Sequence, residues 1–111
     1  MLKKQFRLKK RKSFNYIHRR GKHIGNDTLS MSFVYARGNL KIGFSVSKKV
    51  GNSVVRHRAI RKMRHAANKL LDNIKPDHSI IFVAKEGIDK LHLDDIIKAM
   101  QNTLQRGGIH K

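Results

Sequence analysis

The sequence predicts an α+β fold, a single-domain α/β sandwich, from three observations. Residues 28–36 and 40–47 alternate apolar and polar side chains, residues 53–71 carry apolar side chains at helical spacing, and a continuous apolar run at 79–84 precedes a second amphipathic segment. Taken in order, the elements read αββαβα, with the second strand, the long helix and the third strand forming a βαβ unit. A chain of 111 residues is the length of one domain and buries about two thirds of its unfolded surface. The whole of 1–111 is therefore expected to act as one unit.

The first element follows a basic arm, 1–12, in which Lys3, Lys4, Arg7, Lys9, Lys10, Arg11 and Lys12 surround Phe6 and Leu8. A helix is expected over 13–20, with Ser13 as its cap, Phe14 and Ile17 one turn apart, Arg19 and Arg20 at the negative end of the dipole and Gly21 as a left-handed stop. The two strands follow. Leu29, Met31, Phe33 and Tyr35 share a face, as do Leu40, Ile42, Phe44 and Val46, and Arg37, Gly38 and Asn39 between them suggest the turn of a β-hairpin. The opposite face is unusual, because Ser30, Ser32, Gly43 and Ser45 make a shallow floor that something flat or extended can approach.

The long helix, 53–71, is capped by Asn52 or Ser53. At about 100° per residue, Val55, Ala59, Ile60, Met63, Ala66, Ala67, Leu70 and Leu71 fill an apolar arc of roughly 160°. Two polar stripes cover the rest: His57, Arg61, Arg64 and Asn68 form one, and Arg58, Lys62, His65 and Lys69 the other. Arg56 alone falls within the apolar arc, at the first turn. Pro76 and Asp77 then break the chain, 79–84 is short and apolar enough to be buried on both faces, and Asp94 and Asp95 favour the start of a last helix carrying Leu93, Ile96, Ile97, Met100 and Leu104 and ending at Gly107 and Gly108.

Charge narrows the function. With 26 Lys or Arg against 7 Asp or Glu, the formal net charge is +19, which points to a polyanion as partner. Cysteine is absent, excluding disulfides, thiolate zinc sites and cysteine nucleophiles and making the cytoplasm the expected compartment. No run of about 18 apolar residues occurs, so no membrane passage is expected. The few acids leave little material for carboxylate chemistry, the histidines lack the spacing of a helical metal pair, and no GxSxG nucleophile motif is present; no catalytic residue and no metal site are assigned. Residues 28–71 contain no carboxylate at all, yet Lys48, Lys49, Arg56, His57 and Arg58 crowd the start of the long helix, where the dipole already disfavours cations. Free backbone N–H groups, dipole and side chains together make an anion site there. On these grounds alone an RNA-binding module, a basic ribosomal or RNA-assembly protein and a DNA-recognition helix all remain open, whereas the scarcity of acids argues against a metal-dependent nuclease.

The stretch GFSVSKKVGNSVVRHRAIRKMR, 43–64, resembles the protein subunit of bacterial ribonuclease P, whose signature is a Ser-Lys-Lys-Val-Gly-Asn run followed by an Arg-Asn-Arg helix start and further arginines. Arg7, Leu8, Lys9 and Lys10 ahead of Phe14, and then Gly21, extend the likeness over nearly the whole chain. Three positions depart from the pattern: His57 stands at the asparagine, Ile60 at a lysine usual two residues after the triplet, and His18 where a second aromatic is frequent. The resemblance implies a left-handed βαβ crossover, against a general preference of about 98% for the right hand. It also implies removal of the 5′ leader of precursor tRNA by a ribonucleoprotein whose RNA subunit carries out the chemistry with Mg²⁺, no cofactor being held tightly by the protein. The implied partners are ribonuclease P RNA and precursor tRNA, without an obligate protein partner. On this pattern Phe14, His18, Ser30, Ser32, Ser45, Arg56, His57, Arg61 and Arg64 would hold the leader, and Lys48, Lys49, Asn52, Arg58, Lys62, His65 and Lys69 the RNA subunit.

Overall fold

The computed structural model describes residues 2–38 and 40–111. Its elements are α1 (Arg11–Arg20), β1 (Lys22–Gly25), β2 (Leu29–Tyr35), β3 (Lys41–Ser45), α2 (Ser53–Leu70), β4 (His78–Ala84) and α3 (Leu93–Arg106), an αβββαβα order. β1 is the addition to the expected order. Its sequence, KHIG, has one apolar residue and no periodicity to reveal it, and it forms as an edge strand because Ile24 falls opposite Met31 on β2.

The strands lie in the order β1-β2-β4-β3, so the expected β2–β3 hairpin does not form. Instead β4 sits between them, antiparallel to β2 and parallel to β3. The reason lies in the sequence of β4. Ile80, Ile81 and Phe82 are all fully buried although they point alternately to opposite faces, and only a central strand offers cover on both sides. Of the turn expected between β2 and β3, Asn39 lies outside the described residues, while Gly38 takes a left-handed φ of +79° and donates its N–H to the Asp77 carboxylate.

One face of the sheet carries Leu29, Met31, Phe33, Ile42, Phe44, Ile80, Phe82 and Ala84 and forms the main core with α2 and α3. From α2 this core takes Ala59, Met63, Ala66, Ala67 and Leu70, the apolar arc of the sequence; Asn52 caps the helix, its Oδ1 accepting from the Val55 N–H at 3.0 Å. The other face carries α1. That helix starts two residues before the expected position, with Lys10 rather than Ser13 at its N-cap, because Leu8 is already fixed to β3 and the chain turns directly afterwards. Gly21 is extended (φ −77°), not left-handed, and its need for glycine is one of space: a Cβ would lie 2.5 Å from the Ile17 carbonyl oxygen and 2.8 Å from that of Phe33.

The basic arm is docked. Arg7 pairs with Ile42, the Leu8 N–H donates to the Ile42 carbonyl at 3.0 Å, Lys41 Nζ donates to the Gln5 carbonyl at 2.6 Å, and Leu2 is 1% exposed in the core. The segment thereby covers the outer edge of β3, which would otherwise present open hydrogen-bonding groups.

Candidate nucleic-acid interface

The strand register divides the α1 face into three rungs. Gly25, Ser30, Val83 and Ser45 form the first, His23, Ser32, Ile81 and Gly43 the second, and Val34, Ser79 and Lys41 the third. α1 lies over the second. Ile17 and Ile81 are buried beneath it, and at its other end the Phe14 ring rests on Gly43, where a Cβ would come within 2.5 Å of the ring's Cζ. Helix geometry then gives α1 two flanks: Phe14 and His18 lie about 40° apart on one side of Ile17, and Tyr16 and Arg20 lie on the other.

The first rung is the open part of the small-residue floor, with Ser30, Ser45 and Val83 half-buried. Ser32 is not part of that opening. It is 3% exposed under α1, its Oγ 2.7 Å from His23 Nδ1, a partner that the edge strand β1 supplies. Beside the floor, a small cavity of about 90 Å³ joins Phe14 and Gly43 to Ile60 and Arg64 of α2. Arg64 is half-buried, and its Nε is shielded from solvent without a hydrogen-bond partner among the described residues. Ile60, at the position of the family's lysine, therefore gives the cavity an apolar wall between Phe14 and Arg64.

The two polar stripes of α2 adjoin one another round the helix. Arg64 marks the side facing α1, and His57 and Arg61 continue it; with Ser53, Val54 and Arg58 they wall a depression of about 430 Å³ at the helix start. Arg56 is half-buried in the first turn, as its place inside the apolar arc requires. Next to that depression Arg58, Arg61, Lys62 and His65 border Leu93, where the chain enters α3, so Arg58 and Arg61 each face both depressions. Lys62 departs from the other cations there. Its ammonium donates to the carbonyls of Asp89 (2.6 Å) and Leu91 (2.8 Å), so it fastens the loop before α3 to α2. Lys48, Lys49 and Lys69 are exposed, and Asn52, spent on its cap, presents less to a partner than an uncommitted amide.

A small α+β protein with a broad cationic surface along one helix, next to a floor of small side chains, belongs to the class that binds polyanions as extended or folded strands. The family model for ribonuclease P matches residues 2–108. Relatives include the ribonuclease P protein components of Clostridium botulinum, 35% identical over 96% of this chain and 98% of theirs, and of Listeria welshimeri, 32% identical over 99% and 94%. Among solved structures, the RNase P protein of Staphylococcus aureus superposes with a TM-score of 0.80 at 23% identity, covering 97% of this chain and all of that one. That of Thermotoga maritima gives 0.81 at 20% identity over 90% and 96%. The chain belongs to the ribonuclease P family, as a protein component of that RNA-binding, tRNA-processing ribonucleoprotein.

Proposed function

We propose that this protein acts as one RNA-binding domain over 1–111 and promotes removal of the 5′ leader from precursor tRNA by gripping two RNAs at once. The leader lies in the cleft between the Phe14 and His18 flank of α1, the floor of Ser30 and Ser45 and the inward side of α2. There Phe14 offers a stacking face and Arg56, His57, Arg61 and Arg64 meet the backbone. Ser32 acts from beneath, through His23, by shaping the floor. The ribonuclease P RNA occupies the adjoining side, on Lys48, Lys49, Arg58, His65 and Lys69, with Asn52 and Lys62 shaping that surface rather than carrying charge to it. Bond cleavage belongs to the RNA subunit and its Mg²⁺; the protein neutralises one RNA against the other, in the cytoplasm and without an obligate protein partner.

The observation that carries this reading is the Phe14 ring laid on Gly43 opposite Arg64, whose Nε lacks a partner among the described residues, at the border of a floor too small to be core. Reconstitution with the RNA subunit at limiting magnesium tests it. Cleavage of precursor tRNA should rise on adding protein, and binding should favour precursor over mature tRNA. Cleavage by the protein free of RNA would overturn it.

The stereochemistry supports the left-handed crossover as well. The Ile42 carbonyl points to Leu8, hence away from β4, while its side chain enters the α2 layer. For an L-residue this orientation agrees with β4 lying on the left of β3 when the sheet is viewed from α2 with both strands running upward, the arrangement of a left-handed connection through the near layer.

A further inference from the structure

The flank of α1 that faces away from the leader cleft borders a groove with exposed aromatics. Tyr16 is 58% exposed and Tyr35 69% exposed, and both line one groove of about 390 Å³ that wraps the end of β2 beyond its pairing with β1, Tyr16 reaching it from the α1 face and Tyr35, with Phe33 and His78, from the core face. Arg20, Lys22, Val34 and His78 line it with them. Leaving two large aromatics in water forgoes burial that each could have gained. Tyr35 is held in place all the same. His78 lies opposite it in the β2–β4 register, with its ring edge-on to Tyr35 (6.1 Å between centroids, 89°) and packed against Phe33. Its Nδ1 donates to the Pro76 carbonyl at 2.9 Å, which fixes the ring. Asp77, the acid beside His78 in the chain, is tied to the Gly38 N–H. Two aromatic faces beside two cations, on a rigid sheet end, are the elements of a single-strand stacking site.

We infer that the Tyr16–Tyr35 groove binds upstream nucleotides of the same leader, with a base on the tyrosines and its phosphates on Arg20 and Lys22. The route between the two sites runs over the outer surface of α1, where Lys12, Asn15, Arg19 and Arg20 line a second groove with Tyr16. A leader strand leaving the Phe14 flank thus crosses a basic bridge before it reaches the tyrosines.

This inference rests on the leader occupying the Phe14 cleft, and leader length separates the two. The holoenzyme is titrated with precursor tRNAs whose leaders lengthen one nucleotide at a time, and affinity is compared for the native protein, Phe14→Ala and the double variant Tyr16→Ala/Tyr35→Ala. Two rises in affinity are expected. The early rise, at short leaders, is lost in Phe14→Ala; the late one, about tenfold for a stacked base, is lost in the tyrosine variant alone. Tyr16→Phe/Tyr35→Phe should keep the late rise, since the ring faces remain. If the early rise is present and the tyrosine variant shows the native length dependence, the groove does not bind leader. No rise at any length would instead sink the cleft reading on which the inference stands. Weaker binding of the RNA subunit by the tyrosine variant would assign the groove to that RNA and overturn the inference, and a loss equal at all lengths, with a lowered melting temperature, would show the tyrosines to be structural.

Discussion

The two faces of the sheet are built from the same strands and differ in what they can hold. On the α2 and α3 side Leu29, Met31, Ile80 and Phe82 are wholly buried, and two amphipathic helices cover them. On the α1 side the strands offer Ser30, Ser32, Gly43 and Ser45, with Ile81 and Val83 as the larger apolar groups at the centre. Hydroxyl and hydrogen side chains cannot bury enough apolar surface to anchor a second layer. One short helix is held by Ile17 and Phe14, and the rest of that face stays open. The difference teaches that alternation in a strand fixes which face is core, while residue size on the other face decides whether it becomes a site.

The strongest test of this contrast is stability. Phe82→Ala, on the core face, should cost about 3–5 kcal/mol, whereas Ser45→Ala, one register position away on the other, should change stability by no more than about 0.5 kcal/mol. Denaturant unfolding of both variants measures it. A comparable loss in Ser45→Ala would mean that the second face is core as well.

A second test concerns α2, which borders both layers. Lys62 and Arg58 stand on the same stripe, yet Lys62 donates to the Asp89 and Leu91 carbonyls. Lys62→Ala should therefore lose about 1.5–3 kcal/mol of folding stability. Arg58→Ala should leave stability nearly intact and reduce the salt slope of RNA-subunit binding by about one unit. Equal salt effects from the two variants would return Lys62 to the RNA-binding surface.

Lys62 also illustrates where the sequence falls short. Its helical phase was legible, but the carbonyls it meets belong to a loop 27 and 29 residues away, which no local pattern connects to it. The same holds for Ser32. Alternation gave its face correctly, and only the pairing with β1 reveals that His23 and α1 close over it. The hairpin failed for a related reason: residues joined by a short turn usually pair, but β4, apolar on both sides, displaced β3 from β2. What was legible came from periodic segments, the core arc of α2, the central β4 and the acid-free helix start. Tyr16 and Tyr35 carried no signal in sequence as a pair, because the groove they share exists only where α1 packs beside the end of β2.

A third test addresses Phe14, which belongs to the open face yet touches it. Phe14→Ala should lower affinity for leader-bearing tRNA by about 1–3 kcal/mol with RNA-subunit affinity unchanged, and cost less stability than Phe82→Ala because the ring is only half-buried. Gly43→Ala sharpens the point. Its Cβ would meet the end of the Phe14 ring at 2.5 and 2.9 Å, and that flexible side chain can swing away. The variant should thus fold and still lose part of the leader affinity. Unfolding of Phe14→Ala would place the residue with the core.

The smallest effect is expected at His57, where the family carries asparagine. His57 is exposed in the first turn of α2, beside Arg58 and Arg61 in the depression at the helix start. Asparagine and neutral histidine both offer an N–H donor at this position, and neither adds charge to an already cationic surface. His57→Asn should therefore change leader and RNA-subunit affinities by no more than about 0.5 kcal/mol, or about twofold, and leave the salt slopes in place. Arg61→Ala, one turn further along the same stripe, should flatten the slope for leader-bearing substrate by about one unit. The pair of variants separates a hydrogen-bonding position from a charged one within a single helical turn. A drop of one unit in slope for His57→Asn would show instead that the imidazole binds RNA as a cation, and would add it to the charged wall of the cleft.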